Sequence, residues 1–276
     1  MHWLTTRFDI DLAQPRVMGI VNVTPDSFSD CGRHASTAQA LAHCEQLLAD
    51  GAHILDIGAE STRPGSLPVP VEEELARVLP VLHGALKLGC PVSIDTKKPE
   101  VMRAALALGV DIVNDINALQ APEALDAVVA HGRCGVCLMH MHGTPELMQQ
   151  RPAYDDVVKE VGAFLRERCE ALAAGGVVLD RVVCDPGIGF GKSPEHNIEL
   201  LRRQRELLAL GRPLLVGWSR KSTLGVITGG DVSQRQAASV AAALAAVQHG
   251  AHVVRVHDVA ETVDALKLWS VAGLPG

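Results

Sequence analysis

Three side chains pose the chemical question. Asp95 in Ser93-Ile-Asp-Thr96, Asn114 in Asn114-Asp115 and Asp185 in Asp185-Pro-Gly-Ile-Gly-Phe-Gly-Lys192 each close a short apolar run. Two carboxylates and an amide present mostly hydrogen-bond acceptors, with one group able both to give and to take. A ligand for all three must be rich in N–H donors, as a flat heterocycle with an exocyclic amine and ring N–H groups is. Each residue alone reads equally well as a helix cap or a buried, hydrogen-bonded carboxylate or amide. The three together favour binding.

Other residues complete a site of this kind. Lys221 in Ser219-Arg-Lys-Ser222 is a cation that can meet a ring oxygen or nitrogen, and Gly217 lets backbone approach a flat ligand. Phe190 and Met139 can pack on the ring faces. Arg255 and His257, with the start of the last helix, read as an anion site, while Asp258 and Glu261 read as the capping pair of that helix. Asn22 offers a hard oxygen to Mg²⁺, an ion normally shared with substrate phosphates. The Gly-rich segment after Asp185 lacks the spacing of a phosphate loop or dinucleotide fingerprint and reads as a turn passing close to the ring. Cys134 and Cys137 stand at odd separation on one strand, so their side chains point to opposite faces and do not share a metal. His140 and His142 lack companions at metal-ligand spacing.

The elements that must position these residues recur along the whole chain. Short apolar or β-branched runs start near Val17, His53, Pro91, Val110, Cys134, Arg181, Pro213 and His252. Helical periodicity fills the stretches between them: Ala38 to Leu48, Glu73 to Leu88, Pro99 to Leu108, Ala121 to His131, Asp155 to Ala173, Glu195 to Leu208, Gln234 to His249 and Val259 to Trp269. Eight strand-then-helix units without a linker predict an α/β TIM (β/α)8 barrel, a single domain over 1–276 with residues 1–16 as an extension before the first strand. Gly51, Gly109 and Gly250 read as helix-end glycines feeding the next strand.

Active sites of such barrels lie at the C-terminal ends of the strands. Asn22, Asp56, Glu60, Asp95, Asn114, Asp115, His140, Asp185, Ser219, Arg220, Lys221, Arg255 and His257 all fall at or just past a strand end. The segments from Asn22 to Ser36 and from Glu60 to Val71 exceed the usual connection of roughly two to six residues and read as binding loops.

Composition excludes several partners. Hydrophobic residues make up 47% and aromatics 3%, which suits a core of Val, Leu, Ile and Ala in a helix-covered parallel sheet. The net charge of −7 leaves no basic footprint for nucleic acid or an anionic membrane surface, and no run is long and apolar enough to span a bilayer. The 7 cysteines form no disulfide framework, and the charged N-terminus is not a signal peptide, so a cytoplasmic setting is expected.

Taken in order, these motifs resemble the dihydropteroate synthase family. They are Met18-Gly-Ile-Val-Asn-Val-Thr-Pro-Asp-Ser-Phe-Ser-Asp30, Glu60-Ser-Thr-Arg-Pro-Gly65, Ser93-Ile-Asp-Thr96, Asn114-Asp115, Leu138-Met-His-Met141, Asp185 to Lys192, Ser219 to Ser222 and Arg255-Val-His-Asp258. The first is the most specific. The resemblance implies condensation of dihydropterin diphosphate with p-aminobenzoate to give dihydropteroate and pyrophosphate, with Mg²⁺, in a homodimer that is a sulfonamide target. It places the pterin on Asp95, Asn114, Asp185 and Lys221, with Arg255 packed against it. Diphosphate and metal fall to Asn22, Arg255 and His257, and the p-aminobenzoate pocket to Phe28, Thr62, Arg63, Pro64, Phe190 and Ser219. Cys31, His142 and Trp218, a bulky residue beside Ser219, depart from the family pattern; these departures leave the pterin site intact and bear on the shape of the p-aminobenzoate pocket.

The implied chemistry needs help for a leaving group rather than a strong base. A dihydropterin ring spreads the cation that develops as diphosphate departs, and Mg²⁺, Asn22, His257 and Arg255 would stabilise the departing charge. An aromatic amine already carries a free lone pair, so orientation matters more than deprotonation. A pterin-dependent methyltransferase would share Asp95, Asn114 and Asp185 but has no use for a diphosphate-binding first loop or Ser-Arg-Lys. A non-catalytic pterin-binding paralogue predicts damage in the first two loops, where Asn22, Arg63 and Pro64 are intact. A Schiff-base aldolase working through Lys221 is a more distant alternative.

Overall fold

The computed structural model describes residues 1–24, 33–61, 66–143 and 152–273. Ten strands are described: β1 (His2–Leu4), β2 (Asp9–Asp11), β3 (Arg16–Asn22), β4 (Ile54–Gly58), β5 (Val92–Asp95), β6 (Ile112–Asp115), β7 (Gly135–Met139), β8 (Val182–Asp185), β9 (Leu215–Val216) and β10 (Val253–Val256). Helices α1 (Arg33–Ala49), α2 (Val71–Ala85), α3 (Pro99–Leu108), α4 (Ala124–His131), α5 (Val157–Ala174), α6 (Pro194–Arg202), α7 (Ser222–Thr228), α8 (Gln236–Gln248) and α9 (Val259–Val271) follow the barrel strands. Strands β3 to β10 form one parallel sheet in the order β8-β7-β6-β5-β4-β3-β10-β9, and a bridge between Cys184 and Leu214 brings its two ends together. This is the expected TIM barrel.

Alternation along each strand sorts the core into two clusters. Met18, Ile54, Ile112, Cys137, Val183, Leu215 and Val253 point inward and pack together near the N-terminal end of the barrel. Their outward neighbours, among them Val17, Leu55, Val113, Leu138, Cys184 and Val254, join the helices in a second, larger cluster. Cys134 belongs to the outer cluster and Cys137 to the inner one, as their odd separation requires.

Residues 1–16 do more than precede the barrel. β1 and β2 pair antiparallel, Trp3 opposite Ile10, and Trp3, Ile10 and Leu12 fill the bottom of the inner cluster. Trp3 is fully buried, and its indole N–H donates to the Arg181 carbonyl at 2.9 Å. Burying so large a side chain contributes several kcal/mol of transfer free energy, of order 3.

Helix bounds agree with the sequence pattern where local signals are strong. Gly51, Gly109 and Gly250 take φ of 98°, 93° and 92°, a conformation that favours glycine. The expected helix from Glu195 to Leu208 is instead α6 followed by a 3₁₀ turn over Gln204–Leu210. Its start is set by the Ser193 capping box with His196, and its break by Gln204, whose side chain donates to the carbonyls of Ala246 and His249. The short α7 was not expected from periodicity.

Candidate active site

Because inward residues recur every second position, the apolar floor gives way on several strands to polar groups one step up. Asp56 follows Ile54, Asn114 follows Ile112, Met139 follows Cys137, Asp185 follows Val183, Gly217 follows Leu215 and Arg255 follows Val253. Asp95 stands beside Asn114 in register. These inward-facing strand-end residues therefore share one mouth. Gly58 makes room there, since a Cβ on it would lie 3.1 Å from the Asp95 Cβ.

Arg255 ties the mouth together. Its Nε donates to Asp56 Oδ2 and its Nη2 to Asp95 Oδ2, both at 2.6 Å. Asn114 Nδ2 donates to the same Asp56 Oδ2 at 3.1 Å, which turns the amide oxygen away from Asp56. Burial pushes the Asp95 carboxyl up to about 7, with Arg255 opposing and Asp56 reinforcing the shift. Burial works to lower the Arg255 pKa, but Asp56 and Asp95 together raise it above its ordinary value. Sequence reasoning placed Asp56 on the rim but gave it no role; its only signal was a carboxylate two residues past Ile54.

The segment after β8 holds Asp185, Phe190 and Lys192. Asp185 Oδ1 accepts from the Gly187 N–H at 2.7 Å, and burial pushes this carboxyl up to about 6. Gly187 has φ +67°, and a Cβ there would fall 1.9 Å from the His140 carbonyl oxygen. Only glycine fits. Lys192 is buried: its Nζ meets His140 Nδ1 at 2.9 Å and donates to the carbonyls of Gly187 at 2.9 Å and Phe190 at 3.0 Å. It pins the turn that presents Asp185, a role not visible in the sequence. His140 is thereby structural, and Asp115 likewise accepts from the N–H groups of Asn117 and Leu119.

Lys221 reaches into the same mouth, its Nζ 4.0 Å from the Phe190 ring centroid. Burial lowers its pKa to about 8, with Asp185 opposing. Lys221 thus occupies one face of the Phe190 ring. Met139 is buried at the end of β7, and nothing lies nearer than 3.8 Å to a Cβ built on Gly217. Asn22 ends β3 in register with Gly58.

Ser219 and His257 form a second polar pair. The His257 N–H donates to Ser219 Oγ at 3.1 Å, and that hydroxyl lies 3.0 Å from His257 Nδ1. The hydroxyl and Nδ1 thus share one proton between them, while the backbone N–H fixes the hydroxyl oxygen. Two expectations are corrected here. Asp258 makes no side-chain cap with its helix; its carboxylate pairs with Arg220 at 2.6 Å, and Glu261 accepts from Gln236. The Arg220 guanidinium outcompetes backbone N–H groups as a charge-assisted partner. Trp218 does not shape a pocket beside Ser219 either, because odd parity turns it outward into the helix-facing cluster, 2% exposed.

Glu60 is engaged by Lys97 and Lys98 and accepts from the Val69 N–H at 3.0 Å, so it anchors the second loop. His142 is exposed and meets the Tyr154 ring edge-on. Phe28, Cys31, Thr62, Arg63 and Pro64 lie outside the described residues.

The arrangement can bind a flat ring by its donor edge through Asp185, the Asn114 oxygen and Asp95, oppose it with Lys221, and face an anion with Arg255 and His257. Comparisons with known proteins agree. A family model described as pterin binding enzyme matches residues 18–257. The chain is 51% identical over 278 residues to the dihydropteroate synthase of Neisseria meningitidis serogroup B, covering 99% of this chain and 98% of that one. Among solved structures it resembles Xanthomonas albilineans dihydropteroate synthase with 4-aminobenzoic acid (TM-score 0.90, 51% identity, 97% and 96% covered). It also resembles Burkholderia cenocepacia dihydropteroate synthase complexed with 7,8-dihydropteroate (TM-score 0.91, 48% identity, 99% and 96% covered). With its barrel mouth built to take a donor-rich ring and its likeness to these enzymes running the length of the chain, the protein belongs to the dihydropteroate synthases among the pterin binding enzymes.

Proposed function

We propose that the chain condenses 7,8-dihydropterin-6-ylmethyl diphosphate with p-aminobenzoate, releasing pyrophosphate and forming 7,8-dihydropteroate for folate synthesis. The observation that carries this reading is the convergence of Asp95, Asn114, Asp185 and Lys221 on one mouth beside Arg255 and His257. Asp185 and the Asn114 oxygen accept from the pyrimidine edge, and Lys221 donates to the opposite side of the ring. Thr62, Arg63, Pro64 and Phe28 of the first two loops, with Phe190 and Ser219, are proposed to hold p-aminobenzoate.

In the reaction the amine nitrogen lone pair forms the new C–N bond as the methylene C–O bond breaks, and diphosphate leaves with that electron pair. Donors on His257 and Arg255 meet the departing oxygens. The amine loses its proton to water after attack, so no side chain need act as a strong base. Asn22, one neutral oxygen at the end of β3, suits an ion that keeps waters and shares substrate phosphates, and it is the proposed protein ligand of Mg²⁺. When bound, Mg²⁺ supplies neutralisation of the leaving diphosphate.

The setting is proposed to be the cytoplasm, in keeping with six described cysteines that are unpaired thiols. A homodimer is proposed as well, supported by Val226 and Ile227, exposed side by side on α7. Sedimentation of a monomer at micromolar concentration would remove that part. Pyrophosphate release from dihydropterin diphosphate tests the reaction: release with p-aminobenzoate and formation of dihydropteroate are expected. Pterin binding without release would favour a non-catalytic role, and no pterin binding would end the reading.

A further inference from the structure

We propose that Asp56 is a positioning residue that sets the hydrogen-bond polarity of the pterin site, holding the Asn114 amide and the Arg255 guanidinium from one carboxylate oxygen. The inference rests on the pterin reading above and adds a residue outside the ring-contacting set. Asp56 lies on β4, in register with Ser93, and is fully buried. Its Oδ2 accepts from Asn114 Nδ2 at 3.1 Å and from Arg255 Nε at 2.6 Å.

The consequence is chemical. An amide has one donor end and one acceptor end, and rotation by half a turn exchanges them. A carboxylate paired with a guanidinium can only accept, so Asn114 must spend its NH₂ on Asp56 and turn Oδ1 the other way. The Asn114 side chain then reads a ligand N–H and rejects a ligand carbonyl. Without Asp56 the amide can turn either end to the ligand, and the preference is lost. Arg255 is held by the same oxygen, which draws its remaining N–H groups to the Asp95 side of the mouth.

A stabilising role alone does not account for this residue. Asp56 Oδ1 is buried with no hydrogen-bond partner among the described residues, and so is Ser93 Oγ on its register neighbour. A buried carboxylate oxygen without a partner is costly to the fold. The side chain is arranged around Oδ2 and the two groups that it orients.

The test uses full-length protein and two ligands: 6-hydroxymethylpterin, with an amine at ring position two, and the matching lumazine, with a carbonyl there. Calorimetry gives the preference for pterin over lumazine. Wild type should prefer the pterin by more than about tenfold, which is about 1.4 kcal/mol. Asp56→Asn and Asp56→Ser, shown to be folded by circular dichroism, should bring the two affinities to within about threefold of each other. Asn114→Ala should do the same, and serves if neither Asp56 variant folds. Equal weakening of both ligands in the Asp56 variants, with the preference kept, would overturn the proposal, as would an unchanged preference in Asn114→Ala. Failure of wild type to bind either ligand would instead overturn the pterin reading.

Discussion

Asp185 answers to two opposed demands. To accept from a ring N–H it must be ionised, yet burial pushes its carboxyl up to about 6. The folded value lies above the ordinary one of about 3.9, so this group's favourable contribution is complete below about pH 4 and is lost as pH rises through about 6. Asp185→Asn keeps the Gly187 contact while removing the charge. It should therefore raise the stability of ligand-free protein at about pH 7.5 by on the order of 2 kcal/mol, with the gain vanishing near pH 4. A melting-temperature gain that is the same at both pH values would contradict this. The same substitution, and Asp95→Asn, should weaken pterin binding by about 3 kcal/mol, because an amide can turn a donor towards a donor; calorimetry showing unchanged affinity would remove these residues from the site. Trp218 yields a third expectation at this scale. Since its ring packs outward against the helices, sulfonamides should compete with p-aminobenzoate beside Ser219 unhindered by it. Inhibition that does not weaken as p-aminobenzoate is raised would show the pocket to be elsewhere. Site residues at strand ends were legible from the sequence because period-two alternation puts one residue per strand at the mouth. The role of Asp56 was not legible, because its two partners stand 58 and 199 residues away.

Strand starts at the opposite end of the barrel are held by histidines. His53, just before β4, accepts from the Val17 N–H of β3 at 3.1 Å, and His252, just before β10, accepts from the Leu214 N–H at 3.2 Å. Each uses Nδ1, which must carry no proton. Burial lowers the pKa of both, helped by Arg16 for His53 and by the N-terminal amine for His252. A depressed folded value means that their contribution is complete above about pH 6.5 and is lost as pH falls. His252→Asn places a non-titrating acceptor near the same N–H. It should flatten the fall in melting temperature between about pH 7.5 and pH 5. An unchanged slope would mean that protonation of His252 does not strain this end. Among the elements, α3 matches its expected bounds, with Pro99 in its first turn and Gly109 just past its end. The α6 break was hidden, because the contacts of Gln204 with the C-terminal end of α8 and the residue after it carry no local sequence signal.

Across the whole molecule, the two substrates meet unequal surfaces. The pterin groups Asp95, Asn114 and Asp185 stand on described strands of one sheet, with Asp95 already held by Arg255. Most p-aminobenzoate groups are assigned to the first two loops instead. Pterin should therefore bind alone, while p-aminobenzoate gains affinity once pterin, pyrophosphate and Mg²⁺ are present, because they raise the binding-competent fraction. Titration of p-aminobenzoate into ligand-free enzyme and into enzyme saturated with pterin, pyrophosphate and Mg²⁺ should differ by at least about tenfold; equal affinity would contradict an ordered mechanism. The sequence by itself determined the barrel, since eight repeats of strand and helix and the residue closing each strand are local patterns of periodicity and turn chemistry. Only the tertiary structure decided that Trp3 closes the barrel floor, that Asp258 serves Arg220 rather than its own helix, and that Arg255 bridges Asp56 and Asp95 across 199 and 160 residues of sequence. Parity says which face of a strand a side chain takes. Its partner depends on which strands closure brings together, and on which charged group offers a stronger bond than the nearest backbone.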